Sequence, residues 1–120
     1  MTTTIHASQA FVIGDDWPIL GRLTDELGNP FDPTPASSVT WKLDDETGAT
    51  NLFTLTLGAG IVIGPDPTGV SPVPVCLITL PAASTATLQP GTYRDQLRLM
   101  ISGQASTFWQ GPIQALQQLT

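Results

Sequence analysis

The side chains that could carry out chemistry in this chain are few and far apart. The 120 residues include one histidine, His6, and one cysteine, Cys76. A catalytic triad or a histidine-rich metal site cannot be assembled around His6 alone, which argues against a small hydrolase. Cys76 lies in the apolar run Val75-Cys76-Leu77-Ile78, where no cationic neighbour would lower the pKa of its thiol. We therefore expect residue 76 to be a small buried hydrophobe rather than a nucleophile.

Carboxylates are more numerous, and three groups of them fall on predicted turns: Asp15-Asp16, Asp44-Asp45-Glu46 and Asp66. Turns at one end of a sandwich can share a Ca²⁺ ion, but none of these groups has the spacing of an EF-hand loop. Aspartate also favours turns without metal, and short turns leave no cleft for a glycosidase pair. Gly58-Ala59-Gly60 precedes a strand, so it offers no helix N-terminus to a phosphate. We expect no metal, no cofactor and no enzymatic activity, with calcium as the alternative.

Composition excludes several classes of partner. Four basic residues against ten acidic ones give a net charge of −6, which provides no basic footprint for nucleic acid or an anionic membrane. Charged residues make up only 12% of the chain, about half the usual share, as expected of a polar surface or one covered by partners. The first residues lack the basic and apolar regions of a signal peptide, and no apolar run approaches a membrane span. With a lone cysteine, these features favour folding in a reducing cytoplasm.

The spacing of turn residues predicts an all-β domain. Eleven glycines and eleven prolines interrupt the chain at intervals of about 8–12 residues, and helical periodicity is almost absent. We predict one domain over residues 1–120, an Ig-like Greek-key β-sandwich of about seven to eight antiparallel strands. The predicted strands cover 3–13 (with a break near Ala7), 17–24, 39–43, 52–57, 61–63, 70–80, 94–101 and 105–116, with one helical turn within 81–88.

The stretch Leu88-Gln89-Pro90-Gly91-Thr92-Tyr93 is the most informative local pattern. Pro90 fixes its own φ and lacks an N–H, and Gly91 accepts backbone angles that other residues resist. Tyr93 then begins a strand, where its ring can enter the core while its hydroxyl returns to an upstream backbone group. This spacing is typical of the tyrosine corner of Greek-key sandwiches. The alternative is an ordinary Pro-Gly turn followed by a core tyrosine.

Two-residue alternation predicts which side chains are buried. Val39, Trp41 and Leu43 alternate with polar residues, and we expect Trp41 to be the large aromatic residue at the centre of the sandwich rather than an exposed contact. The other predicted core residues are Tyr93, Leu88, Leu97 and Leu99.

Asp95 also falls on the inward side of its strand. There it should be solvated at the strand end, or pair with Arg22 or Arg94. For surface contacts we expect apolar residues left outside the core. The candidates are Trp17, Leu20, Met100, Phe108 and Trp109.

The order of these features resembles a group of virion modules. The features are Ile13-Gly14-Asp15-Asp16-Trp17-Pro18-Ile19, Leu23-Thr24-Asp25-Glu26-Leu27-Gly28-Asn29-Pro30-Phe31, Ser38-Val39-Thr40-Trp41-Lys42-Leu43, Gly60-Ile61-Val62-Ile63 and the Tyr93 stretch with Leu97-Arg98-Leu99 after it. Together they resemble the small Ig-like modules of tailed-phage virions, such as the N-terminal domain of baseplate upper proteins and related neck, tail or head-fibre components. Those modules usually have Asp-Leu-Thr-Gly where this chain has Asp32-Pro33-Thr34-Pro35.

The resemblance implies a structural protein without catalytic residues. It would be made in the bacterial cytoplasm, reside in the tail, baseplate, neck or head surface of the virion, and contact other virion proteins or further copies of itself. Edge strands, particularly the last one, could extend a partner's sheet. The alternative is a carbohydrate-binding or adhesion module that uses Trp17 or Trp109 as a stacking platform.

Overall fold

The computed structural model describes residues 4–6, 10–25 and 27–117, with the backbone alone described at 4–6, 10, 109 and 110. Nine strands and one helical turn occur in these residues, so the predicted all-β class is confirmed. The elements are β1 (Thr4–His6), β2 (Ala10–Val12), β3 (Trp17–Leu23), β4 (Ser38–Asp45), β5 (Asn51–Leu57), β6 (Gly60–Gly64), β7 (Val75–Leu80), α1 (Ala82–Thr85), β8 (Gly91–Ile101) and β9 (Gln104–Leu116).

The strands form two layers of a sandwich. Their hydrogen-bonded order is β1-β3-β7-β6-β5-β4-β8-β9-β2, but β5 and β6 share only two register pairs, Thr56 with Gly60 and Leu57 with Ile61. The chain crosses between layers at this point. We call β1-β3-β7-β6 the first sheet and β5-β4-β8-β9-β2 the second sheet. The crossings from β3 to β4 and from β7 to β8 are those of an Ig-type Greek key.

The first predicted strand is divided between the two sheets. β1 pairs antiparallel with β3 in the first sheet, whereas β2 pairs parallel with β9 in the second. The predicted break near Ala7 lies outside the described residues. Because β2 covers β9 at residues 114–116, the expectation that the last strand offers a free edge is wrong for that part of β9.

Alternation along the strands builds the core. In β4, Val39, Trp41 and Leu43 are all fully buried, and in β8 Leu97 and Leu99 are buried in the same way. Leu88 is also buried, at the end of the loop that precedes β8, and these predictions are confirmed. The ring of Trp17 from the first sheet meets the ring of Trp41 from the second edge-on, with centroids 5.6 Å apart. This aromatic contact joins the two layers.

Two of the predicted surface aromatics belong to the core instead. Trp17 is only 3% exposed, because it is on the inward face of β3 and stacks on Phe11 with ring centroids 4.5 Å apart. Phe108 is buried as well. Leu97 pairs with Trp109 and Arg98 with Thr107, so a bulge makes Phe108 the extra residue of β9, and its ring packs against Phe31. The prediction that Trp17 and Phe108 form surface contacts is wrong.

The predicted strand over 70–80 begins late. Residues 65–74 form a loop, and β7 starts only at Val75, after Pro72 and Pro74. Proline lacks the N–H that a paired strand donates to its neighbour, so the strand cannot extend back through these two positions. Edge pairing was expected there, and the structure shows no strand at all in this stretch.

The predicted tyrosine corner is present. The Tyr93 hydroxyl donates to the carbonyl oxygen of Gln89 at 2.7 Å and accepts from the backbone N–H of the same residue at 3.2 Å. Gly91, between them, has a φ of 148°, which a residue with a Cβ would resist. One side chain therefore fixes the loop before β8 to the start of that strand.

Replacing Tyr93 with phenylalanine should remove both bonds and keep the ring. We expect Tyr93→Phe to lower the free energy of unfolding by about 1–2 kcal/mol, measured by urea denaturation. Thr54→Val is a suitable control, because the Thr54 hydroxyl donates to Oδ1 of Asn51 at an exposed position, and its effect should stay within about 0.5 kcal/mol. Equal losses for the two variants would contradict a special role for the corner.

Candidate functional site

The acidic turns use their carboxylates to close the turns themselves. Oδ1 of Asp45 accepts from the hydroxyl of Thr47 at 2.8 Å and from the backbone of Ala49 at 3.1 Å. Oδ1 of Asp32 accepts from both the backbone and the hydroxyl of Thr34. In each case the threonine hydroxyl contributes most to lowering the pKa of the aspartate. These carboxylates are structural, as their turn positions indicated.

Within the described ranges, no group of three or more His, Cys, Asp or Glu side chains is arranged to hold a metal ion. Asp45 and Asp32 are engaged with backbone and hydroxyl groups of their own turns, and Asp16 accepts from the backbone of Ala82. The side chain of His6 lies outside the described part of the chain.

A polar network fastens the loop 65–74 to β3. Oδ2 of Asp66 accepts from Nε of Arg22 at 2.8 Å and from the backbone of Ser71 at 3.0 Å. Oδ1 of Asp66 accepts from the hydroxyl and backbone of Thr68, and that hydroxyl also accepts from Nη2 of Arg22. The guanidinium of Arg22, followed by the Thr68 hydroxyl, holds the pKa of Asp66 well below its usual range.

This network should make stability depend on pH. Because the folded pKa of Asp66 is depressed, its contribution is complete above the unfolded value of about 3.9 and is lost as the pH falls toward the folded value. We expect urea midpoints between pH 7 and pH 2.5 to decline less steeply for Asp66→Asn than for the natural chain. Glu46→Gln controls for the change in net charge. Parallel declines for Asp66→Asn and the natural chain would show that the network does not contribute.

Asp95 has a partner that the sequence did not indicate. The Nε1–H of Trp41 donates to Oδ2 of Asp95 at 3.0 Å, within the core, and Asp95 is only 3% exposed. Arg22, one of the expected partners, forms an ion pair with Asp66. A buried indole N–H and a buried carboxylate both need hydrogen-bonding partners, and here each meets that need of the other. The pair is enclosed and offers no access to a substrate.

Cys76 is fully buried on the inward face of β7, as expected. Burial raises the pKa of its thiol to about 12, so almost no thiolate exists at neutral pH. A buried thiol in this state is neither a nucleophile nor a metal ligand.

The thiol should become reactive only when the protein unfolds. In native buffer at pH 8 we expect an aromatic disulfide reagent to label Cys76 slowly, whereas labelling in concentrated urea should be complete within the mixing time. Cys76→Ser, which has no thiol, provides the baseline for the absorbance measurement. Fast stoichiometric labelling of the native protein would contradict the buried position.

An apolar row crosses the outer face of the first sheet. Leu20 pairs with Leu77, and Leu77 pairs with Val62 on the other side, so the three side chains follow one another over β3, β7 and β6. Leu20 and Leu77 are half-buried and Val62 is 59% exposed. We call Leu20, Leu77 and Val62 the apolar row. Beside it is a shallow hollow of about 380 Å³, whose lining includes Pro18 and Pro67.

Of the predicted contact residues, the structure leaves two on outer faces. Leu20 is part of the apolar row, and Met100 is half-buried on the opposite side of the molecule, on the second sheet. The side chain of Trp109 lies outside the described part of the chain. Sequence reasoning missed Val62 and Leu77, although both strands are apolar at successive positions. Such a pattern is typical of a strand that carries apolar residues on both faces.

The outer face of the second sheet has a different character. Thr40 pairs with Arg98, and Lys42 pairs with Gln96, so polar and basic side chains cover neighbouring positions on β4 and β8. A shallow hollow of about 190 Å³ lies there, with Lys42, Arg98 and Met100 in its lining. The two outer faces thus differ, one with an apolar row and the other polar and basic.

Comparison with known proteins shows the fold but no family. No family model matches the chain, and no curated protein matches it. Thirteen chains of solved structures match, among them CopC from Methylosinus trichosporium OB3b, with a TM-score of 0.51 and 12% identity. That match covers 100% of this chain and 98% of CopC. None of the described helical residues forms a helix long and apolar enough to cross a membrane.

Proposed function

We propose that this protein is a non-catalytic structural component of a tailed phage or phage-like particle, acting through contacts with other virion proteins. The observation that carries the proposal is the apolar row on the outer face of the first sheet. A solvated sheet face normally carries polar residues at these positions. Adjoining apolar side chains on three neighbouring strands are typical of a contact surface.

The chemistry of the interior supports a non-catalytic role. Asp66 and Asp95 are committed to hydrogen bonds within the fold, and Cys76 is enclosed and protonated. A group that acts on a substrate must reach it, and none of these three is open to solvent. What the molecule offers to other molecules is its surface.

The resemblance to phage modules supplies the setting of the proposal. The chain would be made in the bacterial cytoplasm and would occupy the tail, baseplate, neck or head surface in multiple copies, without nucleic acid or membrane as a partner. The rival role, a carbohydrate-binding or adhesion module, loses one of its two platforms, since Trp17 is buried. Only Trp109 is left for that role.

The apolar row can be tested with a matched pair of valines. Val62→Glu places a charge on the row, whereas Val70→Glu changes a valine that is 69% exposed in the loop 65–74 and is not part of the row. In cells that produce the particle, we expect the tagged natural chain and Val70→Glu to co-sediment with particles and to be labelled on them by immunogold microscopy. Val62→Glu should be reduced at least about tenfold in particles.

Two results would contradict these expectations. Absence of the natural chain from purified particles would refute the proposed function. Equal incorporation of Val62→Glu and Val70→Glu would leave the chain a virion protein but show that the apolar row is not its contact surface.

A further inference from the structure

The basic residues of this acidic chain are concentrated on one face. The chain has four of them, and Arg22 is engaged with Asp66. The other three, Lys42, Arg94 and Arg98, lie at outward positions on the neighbouring strands β4 and β8 and are all exposed. We call these three residues the basic face. Lys42 is far from the two arginines in the sequence, and the pairing of β4 with β8 brings the three residues together.

Among the described residues, the cations of the basic face outnumber the carboxylates beside them, three to one. In the part of the chain that the structure describes, no carboxylate forms an ion pair with Lys42, Arg94 or Arg98. Asp44 faces Arg94 in the register, and it keeps its negative charge while its Oδ1 accepts from the side chain of Asn51 at 2.9 Å. The cross-strand neighbours of Lys42 and Arg98 are threonine and glutamine. The face therefore presents net positive charge on a molecule of net charge −6.

Negative charge collects at one end of the sandwich. Oδ1 of Asp16 accepts from the backbone of Ala82 at 2.7 Å, which places the β2–β3 turn beside the loop that leads to β8. The β4–β5 turn is at the same end, because Asp45 pairs with Tyr93 at the start of β8. We call Asp15, Asp16, Asp45 and Glu46 the acidic end. Three of the four are exposed and Asp45 is half-buried.

We infer that the basic face of one copy receives the acidic end of a second copy. The inference rests on the proposed function, since it requires copies that meet in a particle. Apart from the basic face, the chain has one basic residue against ten acidic ones, so another copy is itself a complementary partner. A nucleic acid carries negative charge far more densely than a second copy does, so the net charge of −6 opposes it more strongly.

The two surfaces differ, so the contact is heterologous. Each copy that uses its basic face still has its acidic end available for the next copy, and a series of such contacts yields a ring or an extended array. The contact is polar and charged at its centre, so it should be moderate in strength and sensitive to salt. Raising the ionic strength from about 0.1 M to 1 M shortens the screening length from about 10 Å to 3 Å.

A charge exchange between the two surfaces tests the inference. Lys42→Glu/Arg98→Glu reverses the basic face, and Asp15→Lys/Glu46→Lys reverses part of the acidic end. In sedimentation velocity at low salt we expect the natural chain to self-associate, and each double variant alone to associate at least about tenfold more weakly. A mixture of the two variants should regain association, because each then offers a surface opposite in charge to one on the other.

The controls separate this contact from general effects of charge. Leu27→Lys/Val70→Lys adds positive charge at the opposite end of the sandwich, at two exposed positions, and it should self-associate at least as well as the natural chain. Circular dichroism and urea midpoints establish that each variant is folded. High salt should weaken association of the natural chain and of the variant mixture alike.

Other outcomes would overturn the inference. A natural chain that is monomeric at every salt and protein concentration would do so, as would self-association that neither salt nor charge reversal changes. Binding of a DNA duplex that is lost in Lys42→Glu/Arg98→Glu, without self-association, would assign the basic face to a polyanion instead. Because particle incorporation is measured separately, each of these results leaves the proposed function standing.

Discussion

The fold depends on how the core accommodates Trp41, a large side chain that carries a polar N–H group. Trp41 is fully buried between the two sheets, touches Trp17 across the layers and places an indole N–H where water cannot reach it. Leaving that donor without an acceptor would cost about 1–3 kcal/mol, and Asp95 supplies the acceptor from the adjacent strand. The indole N–H of Trp41 therefore explains why the carboxylate of Asp95 is buried. Trp41 itself fills the space between the two layers. The pair adds a buried side-chain bond to the backbone pairing of β4 with β8.

The parts of the fold that were predictable are those set by short-range geometry. Alternation placed Trp41 and Leu97 inside because successive side chains of a strand point to opposite faces. The tyrosine corner was also evident, since Tyr93 and Gln89 are four residues apart and Pro90-Gly91 fixes the path between them. The parts that were not predictable depend on pairing between distant segments. The partner of Asp95 is 54 residues away, and the burial of Phe108 follows from a bulge that only the β8–β9 register reveals.

The distribution of charge on the surface also depends on pairing between distant segments. A net charge of −6 correctly describes the field far from the molecule, where individual positions no longer matter. Close to the surface, the local charge depends on which strands are paired. The pairing places Lys42 next to the strand that carries Arg94 and Arg98. Neither the count of charges nor their order along the chain contains that proximity. Composition can therefore predict which large polyanions are repelled, while a local basic face becomes visible only once the register is known.

The two outer faces bear on how such a module could assemble. One face carries the apolar row and the other carries the basic face, and the sandwich core separates them. A single neighbour that docks at one edge therefore cannot cover both faces. A symmetric dimer through either face would leave the other face of each copy exposed to solvent. For the apolar row that exposure is unfavourable, because apolar area gains about 25 cal/mol per Å² when it leaves water. A particle in which each copy has different neighbours on its two sides removes the conflict, with one face occupied by an apolar partner and the other by the acidic end of the next copy.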